Sequence, residues 1–289
     1  MAFQKFVEKW ETVNRLDPTS LTDARLNAHW AAQVIAGVGE ALVAPEPDFS
    51  HTSMGWSDEF RALVGRSTAR GSRVALRLYD FTMHIHAAGV PVASTELEGK
   101  MLKDVLGWVI AALEEAEGGR LLKTPEIPSY EMPAHDVGNG KPFGPPAPER
   151  LVELARWYRN AARLAQIVSE NTLGASPVQC WPHHFDIATL ISLDPAGSVS
   201  KTARSIGFGL SPGDGSYDQP YFYINPWPFP LEGQGYRELD GGGHWHCEGW
   251  FGAVLPASAI HGGAREQAEQ VLSYARSAMA ADRVILGTL

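Results

Sequence analysis

Cys180-Trp181-Pro182-His183-His184-Phe185-Asp186-Ile187-Ala188-Thr189-Leu190 is the densest run of chemically useful side chains in the sequence. A thiol, an indole, two imidazoles and a carboxylate lead into an apolar, β-forming tail. Phe185, Ile187 and Thr189 alternate with Asp186, Ala188 and Leu190, so both faces are largely apolar. That pattern fits a central strand buried on two sides. Pro182 lacks an N–H and marks where such a strand starts. With a regular strand from His184, His184 and Asp186 point to one face and Phe185 to the other. Burying an unpaired charge is costly. The run therefore reads either as a polar cluster facing a pocket at a strand end, or as a buried His–Asp pair that orients the sheet.

Working outward, residues 1–18 read as a short amphipathic lead-in. Ser20-Leu21-Thr22-Asp23 has the form of a capping box with Ser20 as N-cap. Leu26, Trp30, Gln33, Val34, Val38, Ala41 and Leu42 recur at three and four, so a helix runs to about Ala44, where Pro45 and Pro47 stop it. Residues 48–66 carry a mixed signal with room for a first strand. Arg73 to His86 reads as a strand ending at a turn near Ala88-Gly89. Leu97 to Glu117 carries a helical apolar stripe, ended by Gly118-Gly119. Another helix begins at Glu149 and ends near Gly174. After a 177–193 strand come a short 201–210 segment and the aromatic strand Tyr221-Phe222-Tyr223-Ile224. A last strand follows, from about Trp245 to Leu255, and then a final helix over roughly 264–281.

Helix, strands and helix thus occur in that order twice. The expected fold is α+β: an antiparallel sheet with helices packed on one face, built as two structurally related halves over 1–119 and 149–289. Residues 120–148, rich in Pro and Gly, read as a crossover between them. No βαβ repeat argues for a doubly wound parallel sheet. The duplication rests on element order alone.

Composition narrows the function. The chain has 289 residues, 44% of them hydrophobic, and a net charge of −9. With no block of Lys or Arg, nucleic acid is not an expected partner. No apolar run approaches the roughly 20 residues needed to span a bilayer, so no membrane is expected either. The start, Met1-Ala2-Phe3-Gln4-Lys5-Phe6, has no secretory pattern. Two cysteines, Cys180 and Cys247, make no disulfide framework. The expected location is the cytoplasm.

The run Ser176-Pro177 … Trp181 … Phe185-Asp186-Ile187-Ala188 is accompanied by Gly207-Phe208, Pro212-Gly213, Pro220-Tyr221-Phe222-Tyr223 … Pro226 … Pro228 and Leu255-Pro256. Upstream stand Trp30 … Gln33-Val34 … Gly37 and His51 … Trp56. In these short motifs the chain resembles a family of bacterial proteins that share a conserved domain of unknown function. The resemblance implies no catalytic residue, since that family has no assigned activity. At His183-His184 this chain departs from the family pattern, which more often has small residues there.

Two chemistries remain. Trp181, Tyr221, Tyr223 and Trp227 belong to an aromatic-rich second half, and such side chains line pockets for small organic ligands when a few polar groups fix orientation. With His183, His184 and Asp186 they form the expected ligand-binding set. The alternative is a metal-dependent, hydrolase-like enzyme. His244-Trp245-His246 puts two imidazoles on one strand face, as does His84-Ile85-His86, and His184, Asp186, His244 and His246 could ligate a divalent metal such as zinc. A thiolate variant would add Cys180 or Cys247. There is no Gly-x-Ser-x-Gly elbow and no phosphate loop or His-Glu-x-x-His. Gly241-Gly242-Gly243 precedes a strand, so a dinucleotide loop is not expected.

Overall fold

The computed structural model describes residues 2–145, 147–195, 197–198, 202–230 and 236–288. Among them are five helices and eleven strands, antiparallel wherever a register is described. The fold class is mixed α+β. No helix among the described residues is long and apolar enough to cross a membrane.

In chain order the elements are α1 (Ala2–Lys9), α2 (Thr22–Leu42), β1 (Met54–Ser57), β2 (Ala62–Gly65), β3 (Arg73–Arg77), β4 (Thr82–Ala87), β5 (Val90–Glu96) and α3 (Leu102–Ala116). Then come α4 (Pro148–Asn171), β6 (Gln179–Trp181), β7 (Asp186–Ser192), β8 (Ser205–Ser211), β9 (Tyr221–Trp227), β10 (His244–His246), β11 (Gly252–Pro256) and α5 (Ala264–Ile285). Two compact units result. The α2 unit comprises Ser20–Ala155 and Gln179–Asp186. The α5 unit comprises Met1–Thr19, Arg156–Val178 and Ile187–Leu289. The division therefore falls inside α4, and not at 120–148, because that segment packs along α2.

In the α2 unit, β1 to β5 form a consecutive meander, with β6 on the outer side of β1. Leu63, Leu76 and Met83 line up across three strands on one face; Val64, Ala75 and His84 line up on the other. Helix α2 packs against β2 and β3 and is buried all round from Ala31 to Gly39, as expected of a core helix. Its glycines are set by contact. A Cβ on Gly37 would lie 2.1 Å from the carbonyl oxygen of Glu126, and one on Gly65 of β2 would lie 2.5 Å from Cγ2 of Ile35. The Pro/Gly segment is thus laid on α2. The Trp30 indole packs over Gly138 and donates to the carbonyl of Pro133 at 3.2 Å, and the N–H of Gly144 donates to Asn27 at 3.3 Å. Apart from a 3-10 turn at Asp136–Asn139, the described residues of 120–147 have no regular structure, as the prolines there imply.

Four expectations change, the first being that the 245–255 stretch is two antiparallel strands, β10 and β11, and not one. A 3-10 turn, Pro18–Leu21, runs straight into α2, so Leu21 occupies the N-cap position and the Ser20 capping box does not form. The 73–86 stretch is two strands, broken by a 3-10 turn at Leu78–Asp80 with Phe81 in the left-handed region at φ 51°. The duplication is also absent from the strand order. In the α5 unit the ladder runs β7, β8, β9, β11, β10, with the last two out of sequence, whereas the α2 unit is a plain meander.

The α5 unit is held by a row of buried Ile187, Leu210, Phe222 and Leu255. Helix α5 lies on β9 and β11, and the buried Tyr274 hydroxyl donates to the Ala253 carbonyl at 2.8 Å. Asp282 on α5 is fully buried, and neither carboxyl oxygen has a hydrogen-bond partner among the described residues. Burial pushes its pKa up to about 8 from 3.8. Between those values the folded chain keeps a proton that the unfolded chain has released. Stability therefore falls as pH rises through that window, by up to about 1.4 kcal/mol per pH unit. We expect Asp282→Asn to remove this slope in urea unfolding measured from pH 4 to 8; an unchanged slope would show that Asp282 ionises normally in the folded protein.

Candidate functional site

The motif that opens the sequence analysis does not fold as one strand. β6 ends at Trp181, residues 182–185 form a turn, and β7 starts at Asp186. The reason is local. The N–H of Phe185 donates back to the carbonyl of Trp181 at 2.7 Å, and Phe185 takes the left-handed conformation at φ 57°. A strand from His184 is therefore excluded, and with it the argument that His184 and Asp186 share a strand face. Phe185 is buried, its ring stacked on His29 with centroids 5.1 Å apart.

The turn is gripped from α2. His29 and Gln33, one helical turn apart, both donate through Nε2 to the carbonyl of Pro182, each at 2.8 Å. A carbonyl has two lone pairs, and both are used. Since that oxygen only accepts, His29 carries its proton on Nε2. Burial first, then the charges of Arg25, His184 and His183, pull the His29 pKa down to about 4, so the ring is neutral at pH 7. Gln33 also donates to the carbonyl of His29 at 3.0 Å, and its Oε1 accepts from the hydroxyl of Tyr130. Burial holds that phenol well above its ordinary pKa.

Over this network lies a cavity of about 570 Å³. It is lined by Ala36 and Glu40 of α2, by Asp48, Phe49 and Thr52, by Pro128 to Tyr130 of the Pro/Gly segment, and by Trp181 to His183. Its aromatic wall is continuous: Tyr130 and Trp181 each meet His183 edge-on, at 6.3 and 6.4 Å. Phe49 stands at the rim, 67% exposed and left-handed at φ 61°. Backbone strain of this kind gathers at functional sites. Desolvation and the ring of His184, 4.2 Å away, lower the His183 pKa. Neither His183 ring nitrogen has a hydrogen-bond partner among the described residues.

Of the expected ligand-binding residues, Trp181 and His183 line this cavity. His184 touches His183, while Asp186 begins β7. Tyr221, Tyr223 and Trp227 sit on β9 in the α5 unit and line none of it. Tyr221 is buried and donates to Asp214, and Tyr223 covers Gly209, where a Cβ would lie 2.7 Å from its hydroxyl. Sequence reasoning missed His29 and Tyr130 as site residues. Two polar residues at i and i+4, in the mostly apolar middle of α2, were the available signal for His29 and Gln33.

Among the described residues no group of three or more His, Cys, Asp or Glu side chains is placed to hold a metal ion. His244 and His246 are instead joined by Tyr217, whose hydroxyl lies 2.9 Å from His244 Nε2 and 3.0 Å from His246 Nδ1. His246 Nε2 is 2.8 Å from the carbonyl of Glu248 and must donate to it. The phenol therefore donates to His246 and accepts from His244. His84 bonds Thr82 at 2.8 Å, and His86 is buried beneath Phe60. Cys180 is fully buried; burial and the nearby Asp186 push its thiol well above the usual range, so it stays protonated and inert.

No family model, curated protein or solved structure matches the chain. The resemblance stated above thus rests on its short motifs.

The network predicts a coupled loss. Gln33→Leu should cost about 1–3 kcal/mol, since it strands the Tyr130 hydroxyl and removes a donor from Pro182. Tyr130→Phe should then cost less in the Gln33→Leu background than alone. Urea unfolding of the four proteins tests this; strict additivity would show that the bond is not made in solution.

Proposed function

We propose that the protein binds a small organic molecule in the α2-unit cavity, its apolar body against Trp181, Tyr130 and Phe49. One observation carries this reading. Three aromatic rings from separate chain segments wall one space of about 570 Å³, within the roughly 300–1,000 Å³ typical of ligand sites. Exposed large apolar side chains that converge on a concavity mark binding surfaces. His183 supplies polar contacts, as a neutral imidazole that can donate at one nitrogen and accept at the other. The buried bonds to Pro182 and Tyr130 hold the wall in place before a ligand arrives, which lowers the ordering cost of binding.

Saturation-transfer NMR with indole, benzylamine and phenylacetate tests the reading. At least one should bind saturably, and Trp181→Leu or Tyr130→Leu should weaken it about tenfold or more, while Tyr223→Leu leaves it unchanged. Binding that survives loss of both wall residues would place the ligand elsewhere.

A further inference from the structure

The charge distribution around this cavity narrows the ligand. Among the described lining residues there are two carboxylates, Glu40 and Asp48, and no Lys or Arg. Asp48 accepts from the N–H of Ser50 at 3.0 Å, and hydrogen bonding by Ser50 keeps its pKa below the ordinary carboxylate value. Glu40 Oε2 is 3.2 Å from Nε2 of His51. That imidazole does not cancel the charge. Its Nδ1 accepts from the N–H of Glu46 at 3.1 Å, so its one proton sits on Nε2 and the ring is a neutral donor. Two cations stand near but outside the lining: Arg66, whose field reaches Asp48, donates to the carbonyl of Ser50 at 3.1 Å and to Gln179 at 2.9 Å, and Lys123 donates to the backbone oxygen of Glu40 at 3.4 Å, so neither makes a hydrogen bond to the two carboxylates among the described residues.

An indole, a phenol and a benzene ring, those of Trp181, Tyr130 and Phe49, line the same cavity as these carboxylates. Aromatic faces carry the negative end of the ring quadrupole, and Trp is the strongest of them. Anionic groups and electron-rich rings around one space repel a ligand carboxylate or phosphate and attract an ammonium. His183 does not counter this, because its neighbourhood favours the neutral ring.

Building on the binding role proposed above, we infer that the cavity takes an organic cation: a primary to quaternary ammonium on an apolar body. The charged head lies between the aromatic wall and the carboxylates of Glu40 and Asp48.

Titration calorimetry of the full chain with benzyltrimethylammonium, benzyl alcohol and phenylacetate tests it. The ammonium should bind at least about tenfold tighter than the alcohol, and phenylacetate weaker than either. Joint replacement Glu40→Gln and Asp48→Asn, at exposed positions, should weaken the ammonium about three- to tenfold and leave the alcohol unchanged. Raising salt from 0.05 to about 0.5 M should act in the same direction on the ammonium alone. If the alcohol or phenylacetate binds as tightly as the ammonium, and Trp181→Leu abolishes that binding, the cation assignment falls and the cavity reading stands. An ammonium affinity indifferent to both carboxylate replacements also overturns the assignment. If none of the three binds, both readings fall.

Discussion

A single carbonyl oxygen, that of Pro182, organises the candidate site. It receives two N–H donors from α2, one from His29 and one from Gln33. Buried polar groups survive in a core only when paired, and here the pairing is mutual. The helix can bury an imidazole and an amide because the turn offers an acceptor with two lone pairs. The turn can leave its strand because the helix satisfies it. Phe185 completes the arrangement by turning left-handed and stacking on His29. Trp181, at the end of β6, and His183, in the turn, then line the cavity.

The same helix dictates where the Pro/Gly segment lies. Small residues on α2 admit backbone at distances a Cβ would forbid, as at Gly37 against Glu126. Once laid down, the segment brings Tyr130 to Gln33, so one amide bonds both the turn and the segment. Crowding and hydrogen bonding thus act on the same face of one helix, and the cavity lies where their two clients meet.

Much of the fold was legible in the sequence. The three- and four-residue spacing of α2 and α3, and the α+β class, follow from local periodicity, which survives folding. The breaks at Leu78–Asp80 and at 182–185 do not. Both depend on a phenylalanine, Phe81 or Phe185, taking positive φ, and a non-glycine residue does so only when tertiary contacts compensate. Half of the candidate site was visible for a related reason. Trp181 and His183 stand together in a dense motif, so they drew attention. Tyr130 sits in a proline-rich run without periodicity, and its place is set by a bond to a residue 97 positions away. Tyr221, Tyr223 and Trp227 were grouped with the site because aromatic density in sequence does not say which strand face or which unit a ring will occupy.

The histidines show how tautomers separate structure from binding. A metal ligand or a ligand contact needs an imidazole nitrogen that is not already committed. His29 gives its proton to Pro182, and His51 bonds Glu46 and Glu40 through its two nitrogens. His244 and His246 spend theirs on Tyr217 and Glu248. In His244-Trp245-His246 the spacing therefore marks a hydrogen-bonded pair, whereas in His84-Ile85-His86 only His84 is bonded and His86 Nδ1 is buried with no partner among the described residues. His183 lies on the cavity wall. Its ring nitrogens have no partner among the described residues, its ring is held between Tyr130 and Trp181, and its surroundings favour the neutral form. An imidazole with one donor and one acceptor left over, on the wall of an aromatic cavity, has capacity that the fold does not use, and a bound ligand is what could use it.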